Sequence, residues 1–310
     1  MERSFSNESK GFSEKFRFLF KNSFWHMIRE EIEFLFVYSF KFFVLLFPEF
    51  LLKKFLKTVI FLVKAFLYKR QRLMIKNFKL VFPQMQTKEI VKKVNNVWFN
   101  IGWTFLVSIK YIHNPKKIFY KIIIDGNEIK QKLSNNTIIV SAHIGNWELL
   151  AQRLVLEGYK IAAIVRPLRN KFVEWQVKKI RESLGGKVFY AHQLNKIIKW
   201  LKDGGIVYLL PDQHIVEGSV RVDFLGMPAF TTPVVTLLNK RLGSKILPMF
   251  CIKENSCYKV FIEDFYSPTY SNNLKKDLEY NTLQINKIIE KYIQKYPDQW
   301  MWLHRRWKEK

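Results

Sequence analysis

The chain is poor in thiols and poor in acid. Of 310 residues only two are cysteine, Cys251 and Cys257. Two thiols make no disulfide framework, and no histidine cluster accompanies them to form a metal site. They are expected as two small residues in a sheet, in a reduced cytoplasmic setting. Asp and Glu number 26 against 52 Lys and Arg, a formal net charge of +26. Such a surplus requires an anionic partner: nucleic acid, an anionic membrane, an acidic carrier protein or a phosphorylated lipid. Repeats and low-complexity stretches are missing. So is the basic start, short apolar run and small-residue site of a cleavable secretory signal. Nor is there an apolar stretch of the ~20 residues that a free-standing transmembrane helix needs. The longest, residues 32–47 (IEFLFVYSFKFFVLLF), is interrupted by Lys41 and ended by Pro48.

What is present in excess is aromatic residues, 16% of the chain and led by 28 Phe. They concentrate in the N-terminal third. The run at 32–47 is read as a helix entering the bilayer shallowly rather than spanning it. Residues 50–68 read as an interfacial helix, with Lys53, Lys57 and Lys64 on one ridge and Leu, Ile, Val and Phe on the rest. Lys69, Arg70, Arg72, Lys76 and Lys79 follow as a juxtamembrane basic cluster. Pro83 breaks the run, Thr87 reads as an N-cap, and a helix is expected towards Ile112, closed by Asn114-Pro115. This predicts a polar tail over 1–30, membrane-inserting and interfacial helices over 31–80, and a catalytic α/β domain over 81–310.

From Lys121 the periodicity changes. A short strand and a turn at Asp125-Gly126 are followed by a buried strand at 137–141, a helix at 147–156 stopped by Gly158, and a strand at 160–165. This βαβ unit predicts a mixed, largely parallel central sheet flanked by helices. Further strands are expected at 205–210, 245–252 and 258–263, and helices at 172–184, 194–202, 232–242 and 274–295.

The chemistry concentrates at the first strand-to-helix junction, HIGNWE. It places the imidazole of His143 at the carboxyl end of a strand, where such sheets gather ligand and catalytic groups. Glu148 follows five residues later, and Gly145 permits a tight turn between them. An imidazole titrates near working pH, and a carboxylate on its other nitrogen fixes the tautomer. With no Ser or Cys in a nucleophile elbow, His143 is expected to activate an acceptor hydroxyl directly, with Glu148 as its orienting partner. Arg166 and Arg169 are candidate anion-binding guanidinium groups. Asp212, after a buried strand, reads either as a loop anchor or as a site residue. His214 reads as a loop residue. His304, Arg305 and Arg306 read chiefly as closing the core with Trp300, Trp302 and Trp307.

SAHIGNWELL resembles the active-site motif of the bacterial lipid A biosynthesis acyltransferases, the lauroyl/myristoyl type. RQRLMIKNFKLVFPQM, VRPLRN, LPDQHIVEGSVRVDFLGMPAFTTP and DQWMWLHRRWK resemble four further stretches of that family, in order, over roughly residues 30–308. Related glycerol-phosphate acyltransferases carry Asp where this chain has Glu148, which favours the lipid A branch. The chain departs from the pattern at Lys171, where the family often has Pro. The resemblance implies an acyltransferase-like fold, an inner-membrane enzyme whose catalytic domain faces the cytoplasm, and no cofactor. It implies acyl carrier protein as donor and an anionic glycolipid, a lipid A precursor, as acceptor. It also implies that Arg166, Asn170, Asp212 and Gln213 help bind substrate beside His143 and Glu148. Three rival readings remain: an acyltransferase acting on another phospholipid or glycolipid, a nucleic-acid-binding protein, disfavoured because the Phe residues sit in Leu/Ile-rich helices, and a non-catalytic membrane-surface scaffold.

Overall fold

The computed structural model describes residue 35 and residues 38–168 and 170–309. The polar tail expected over 1–30, most of the 32–37 stretch and Arg169 lie outside the described residues. A helical segment at 38–46 precedes Pro48, where the chain breaks and restarts as α1 (Glu49–Phe66) and α2 (Tyr68–Val81). The break comes where the sequence places it, because proline cannot donate into the preceding turn. Lys110 closes the end of the 38–46 segment: its Nζ donates to the carbonyls of Val44, Leu45 and Phe47. No helix of the described residues is long and apolar enough to cross a membrane.

The long helix α3 (Thr87–Ile112) carries the N-terminal helices against the rest of the molecule. Leu52, Leu56 and Ile60 of α1, spaced four apart, bury one stripe of that helix in the core. Thr87 is the first helical residue and not the cap, which falls on Gln86. The turn expected at Asp125-Gly126 is the start of a helix. Asp125 accepts from the backbone N–H groups of Asn127 and Glu128 and so caps a short helix, α5 (Gly126–Lys132), which follows α4 (Pro115–Lys121). The same Asx chemistry serves turns and caps, so only the tertiary setting separates them.

The αβ part runs β1 (Ile122–Ile123), β2 (Thr137–Val140), α6 (Trp147–Leu156), β3 (Ile161–Val165), α7 (Lys171–Glu182), β4 (Lys187–Tyr190), α8 (Leu194–Lys202) and β5 (Ile206–Leu209). A hairpin follows, β6 (Val220–Phe224) and β7 (Met227–Thr231). Then come α9 (Val234–Leu242), β8 (Lys245–Glu254), β9 (Cys257–Ile262) and α10 (Leu274–Lys295). Seven strands form one sheet in the order β1-β9-β8-β2-β5-β3-β4, parallel throughout except for β8 against β9. β2 and β5 lie at its centre, and every residue of both is buried, as strands covered on both faces must be. Cys251 and Cys257 are unpaired residues of β8 and β9. The mixed sheet with flanking helices is the fold the βαβ pattern predicts.

Candidate active site

The site begins with strand register. β2 and β5 run parallel with Val140 opposite Leu209. His143 and Asp212 each lie three residues beyond that pair, so both leave the sheet at the same edge and level. They meet there: the His143 ring Nδ1 is 2.8 Å from Asp212 Oδ1, and the His143 backbone N–H donates to Asp212 Oδ2 at 3.0 Å. Trp300 Nε1 donates to the same Oδ2 at 2.7 Å. Burial raises the Asp212 carboxyl, but the charge of His143 and these donors outweigh it and hold it below the usual carboxylate range. An ionised carboxylate only accepts. His143 therefore carries its proton on Nδ1 in the neutral ring and presents the lone pair of Nε2, the form a general base requires.

The turn after His143 is fixed by close approach. Gly145 has φ +59°, and a Cβ there would stand 1.9 Å from the Cys251 carbonyl oxygen. Asn146 donates its backbone N–H to that oxygen at 2.8 Å, while its side chain accepts from Leu149 N–H and caps α6. The C-terminal segment locks the turn from the other side. Gly145 N–H donates to the Gln299 carbonyl, Met301 N–H donates to the His143 carbonyl, and Ile144 bridges Trp300. Asn77 of α2 donates to the carbonyls of Trp302 and His304 and anchors that segment in turn.

Glu148 does not touch the His143 ring nitrogen reserved for it on sequence grounds. In the first turn of α6, its carboxylate points across to α7, where Arg181 Nε donates to Oε2 at 3.0 Å and a guanidinium Nη donates to Oε1. Burial raises the Glu148 carboxyl, and the Arg181 charge and hydrogen bonds more than reverse this, keeping it ionised; the charge of His143 adds a smaller pull in the same direction. Glu148 thus stays within electrostatic reach of the base without orienting it. The reason is geometric. The left-handed turn at Gly145 and the Asn146 cap send α6 away from the sheet edge, while register delivers Asp212 to Nδ1. Nothing in the sequence singled out Arg181; a buried carboxylate in the first turn of a helix demands a cation, but its address is tertiary.

Beside this pair lies an apolar cavity, part of it open to solvent. Trp147, Glu148, Ala151, Val155, Ala163 and Leu184 are among its walls. The His143 ring packs edge-on against Trp147, 5.3 Å between centroids, and Trp147 is one of the cavity's walls. Glu148, Arg181 and Tyr208 bring polar groups to its lining, Tyr208 donating to the Trp147 carbonyl.

The remaining sequence candidates divide. Arg166 is exposed, just past the end of β3, within electrostatic reach of His214. Gln213 is half-buried beside Asp212. Asn170 spends its side-chain oxygen on the N–H groups of Phe172 and Val173, capping α7. No group of acidic, histidine and cysteine side chains among the described residues has a metal-binding arrangement.

Comparison with known proteins identifies the family. Residues 19–309 match the family model described as bacterial lipid A biosynthesis acyltransferase. A lipid A biosynthesis acyltransferase of Haemophilus influenzae is 26% identical over 250 residues, covering 76% of this chain and 75% of its own. In Escherichia coli K12, a lipid A biosynthesis palmitoleoyltransferase is 26% identical (77% of this chain, 79% of its own) and a lauroyltransferase 25% identical with the same coverage. The chain is an acyltransferase and belongs to the bacterial lipid A biosynthesis acyltransferase family.

Proposed function

We propose that this acyltransferase is a membrane-bound O-acyltransferase. It moves a fatty acyl chain from an acyl thioester, that of acyl carrier protein, to a hydroxyl of a lipid A precursor on the cytoplasmic face of the inner membrane. The observation that carries this reading is the oriented His143 base packed against Trp147, a wall of an apolar cavity. A hydrocarbon chain gains from burial there, while its carbonyl stays beside the imidazole.

His143 Nε2 takes the acceptor hydroxyl proton as the oxygen attacks the thioester carbonyl. Asp212 holds the ring tautomer and stabilises the imidazolium that forms. The tetrahedral intermediate collapses with cleavage of the C–S bond, and the thiolate leaves with the proton returned from His143. Glu148 acts through Arg181, fixing α7 as the roof of the acyl cavity. Arg166 and Gln213 receive the anionic acceptor, and Asn170 positions the loop before α7.

The membrane supports the geometry from the N-terminal side. Outside the buried stripe of α1, Phe61 and Phe66 are 76% and 83% exposed, with Lys57 and the basic α2 alongside. Exposed aromatics beside cations suit the headgroup region of an anionic bilayer. The chain divides into a tail over 1–30, membrane-associated helices over 31–80 and a catalytic domain over 81–310.

The test is reconstitution in detergent. The purified chain receives acyl carrier protein or coenzyme A loaded with chains of graded length, and a lipid A precursor or a glycerophospholipid as acceptor, with products read by mass spectrometry. Carrier-protein-dependent acylation of the lipid A precursor, lost in His143→Ala, is expected. Undiminished turnover by His143→Ala refutes the mechanism, and transfer to the glycerophospholipid alone refutes the acceptor.

A further inference from the structure

A second imidazole sits next to the His143–Asp212 pair, and the mechanism above leaves it unused. His304 belongs to the segment that locks the His143 turn, four residues beyond Trp300. The backbone N–H of His214, two residues past Asp212, points at His304 Nδ1 from 3.3 Å. A backbone N–H only donates, so His304 Nδ1 accepts, and the neutral ring must carry its proton on Nε2. Among the described residues no group receives that Nε2–H, and Nε2 is not among their enclosed unpaired atoms. The ring is thus a fixed donor, opposite in tautomer to His143, with its N–H still to be given.

Its charge state is held as firmly as its tautomer. Burial pushes the His304 imidazole down to about 4; the Asp212 charge works against this, while Arg306, His143 and His214 add to it. Arg306 is fully buried and forms no ion pair among the described residues, its guanidinium bonded to the Phe230 carbonyl and to Thr231 Oγ1. That cation adds to the burial that keeps the His304 and His214 rings neutral. A neutral imidazole near pH 7 is a weaker acid than an imidazolium. It can donate a hydrogen bond without surrendering the proton.

We propose that His304 is a further catalytic residue, its Nε2–H donating to the oxyanion that forms on the thioester carbonyl during acyl transfer. This rests on the acyl-transfer reading above. As the acceptor oxygen bonds to the carbonyl carbon, the carbonyl π pair moves to oxygen, and the hydroxyl proton goes to His143 Nε2. His304 stabilises the resulting anion through its N–H. When the C–S bond breaks, the pair returns to the carbonyl and the thiolate takes the proton from His143. One imidazole moves a proton and the other only lends one, a division enforced by what each Nδ1 meets: a carboxylate in one case, a backbone N–H in the other.

Two substitutions separate this role from a structural one. His304→Asn places a carboxamide where Nδ1 lies and preserves the acceptor for His214 N–H, but removes the Nε2 donor. His304→Gln carries its amide N–H to the Nε2 position. The donor role predicts that His304→Asn loses kcat by about 10²- to 10³-fold with little change in donor KM, while His304→Gln retains most of it. A structural role predicts the reverse order, and that result, or equal losses in both variants, overturns the proposal. Nitrogen-15 spectra of the unaltered, histidine-labelled chain decide independently of any variant's folding. A neutral Nε2–H ring at position 304 from pH 8 to about 5 is expected, and an Nδ1–H ring or an imidazolium near neutrality overturns the assignment. If the unaltered chain transfers no acyl group, the function itself fails. If it transfers while His304→Asn keeps full kcat, only this inference fails.

Discussion

Replacing Asp212 with Asn changes one atom and, by the geometry of the site, inverts the base. The carboxylate receives His143 Nδ1–H on Oδ1, and both the His143 backbone N–H and the Trp300 indole N–H on Oδ2. An asparagine has a single acceptor oxygen. The two fixed donors, backbone and indole, claim it, so the amide NH₂ faces Nδ1. His143 must then accept at Nδ1 and carry its proton on Nε2, where the acceptor hydroxyl needs a lone pair. The loss combines the wrong tautomer with the missing negative charge opposite the imidazolium. A kcat lower by about 10³- to 10⁴-fold is expected, or ~4–5.5 kcal/mol of transition-state stabilisation. Single-turnover acyl transfer from a labelled thioester, over pH 6–9, measures it. The fold should survive, because the amide keeps two of the three hydrogen bonds. Glu148→Gln, in contrast, leaves the tautomer intact and should cost far less in the chemical step. An Asp212→Asn enzyme within threefold of the unaltered kcat, or a Glu148→Gln enzyme that is the more damaged of the two, refutes the reasoning.

Other perturbations follow from the same contacts. Gly145→Ala forces a Cβ onto the Cys251 carbonyl at a left-handed φ; with the αL cost of about 1–2 kcal/mol, a lost Asn146–Cys251 bond and the clash, at least about 3 kcal/mol of stability should go, read as a urea midpoint. Arg181→Met strands a buried Glu148 and should cost about 2–3 kcal/mol, discounted for the partial exposure of the pair, whereas the Glu148→Gln/Arg181→Met double variant recovers part of this; additive losses would deny the coupling. His304, flanked by Asp212, Arg306, His143 and His214, has its folded value pushed down to about 4 from an ordinary 6.5. The unfolded chain binds that proton first, so the contribution is whole above pH 6.5 and drains away as pH falls towards 4, by on the order of 3 kcal/mol. Urea midpoints at pH 7.5 and 5 should show a slope that His304→Gln flattens. Phe61→Ser and Phe66→Ser should each weaken sedimentation with anionic vesicles at least about tenfold, given ~1.5–3 kcal/mol for burying a large apolar side chain; unchanged partition would remove α1 from the membrane.

Much of this protein is determined by local sequence. The apolar runs at β2, β3 and β5, the 3.6-residue stripes of α1, α3 and α10, and the break at Pro48 each follow from patterns within one segment, and five ordered motifs carry the family. His143 and Gly145 are legible in the same way, since a histidine at a strand end followed by a glycine turn is a local arrangement. Tertiary structure decided the partners. Asp212 lies 69 residues from His143, and only the parallel pairing of β2 with β5 sets them level. Glu148, the nearer carboxylate in sequence, is carried off by the helix turn to Arg181, which no spacing announces. The short helix capped by Asp125, the strand β4 and the wrap of residues 299–304 around the His143 turn are equally invisible along the chain. The physical reason is common to all of them. Periodicity and capping report what a segment does with its own backbone. A hydrogen bond between side chains depends on the register and direction of elements that meet only in the folded sheet.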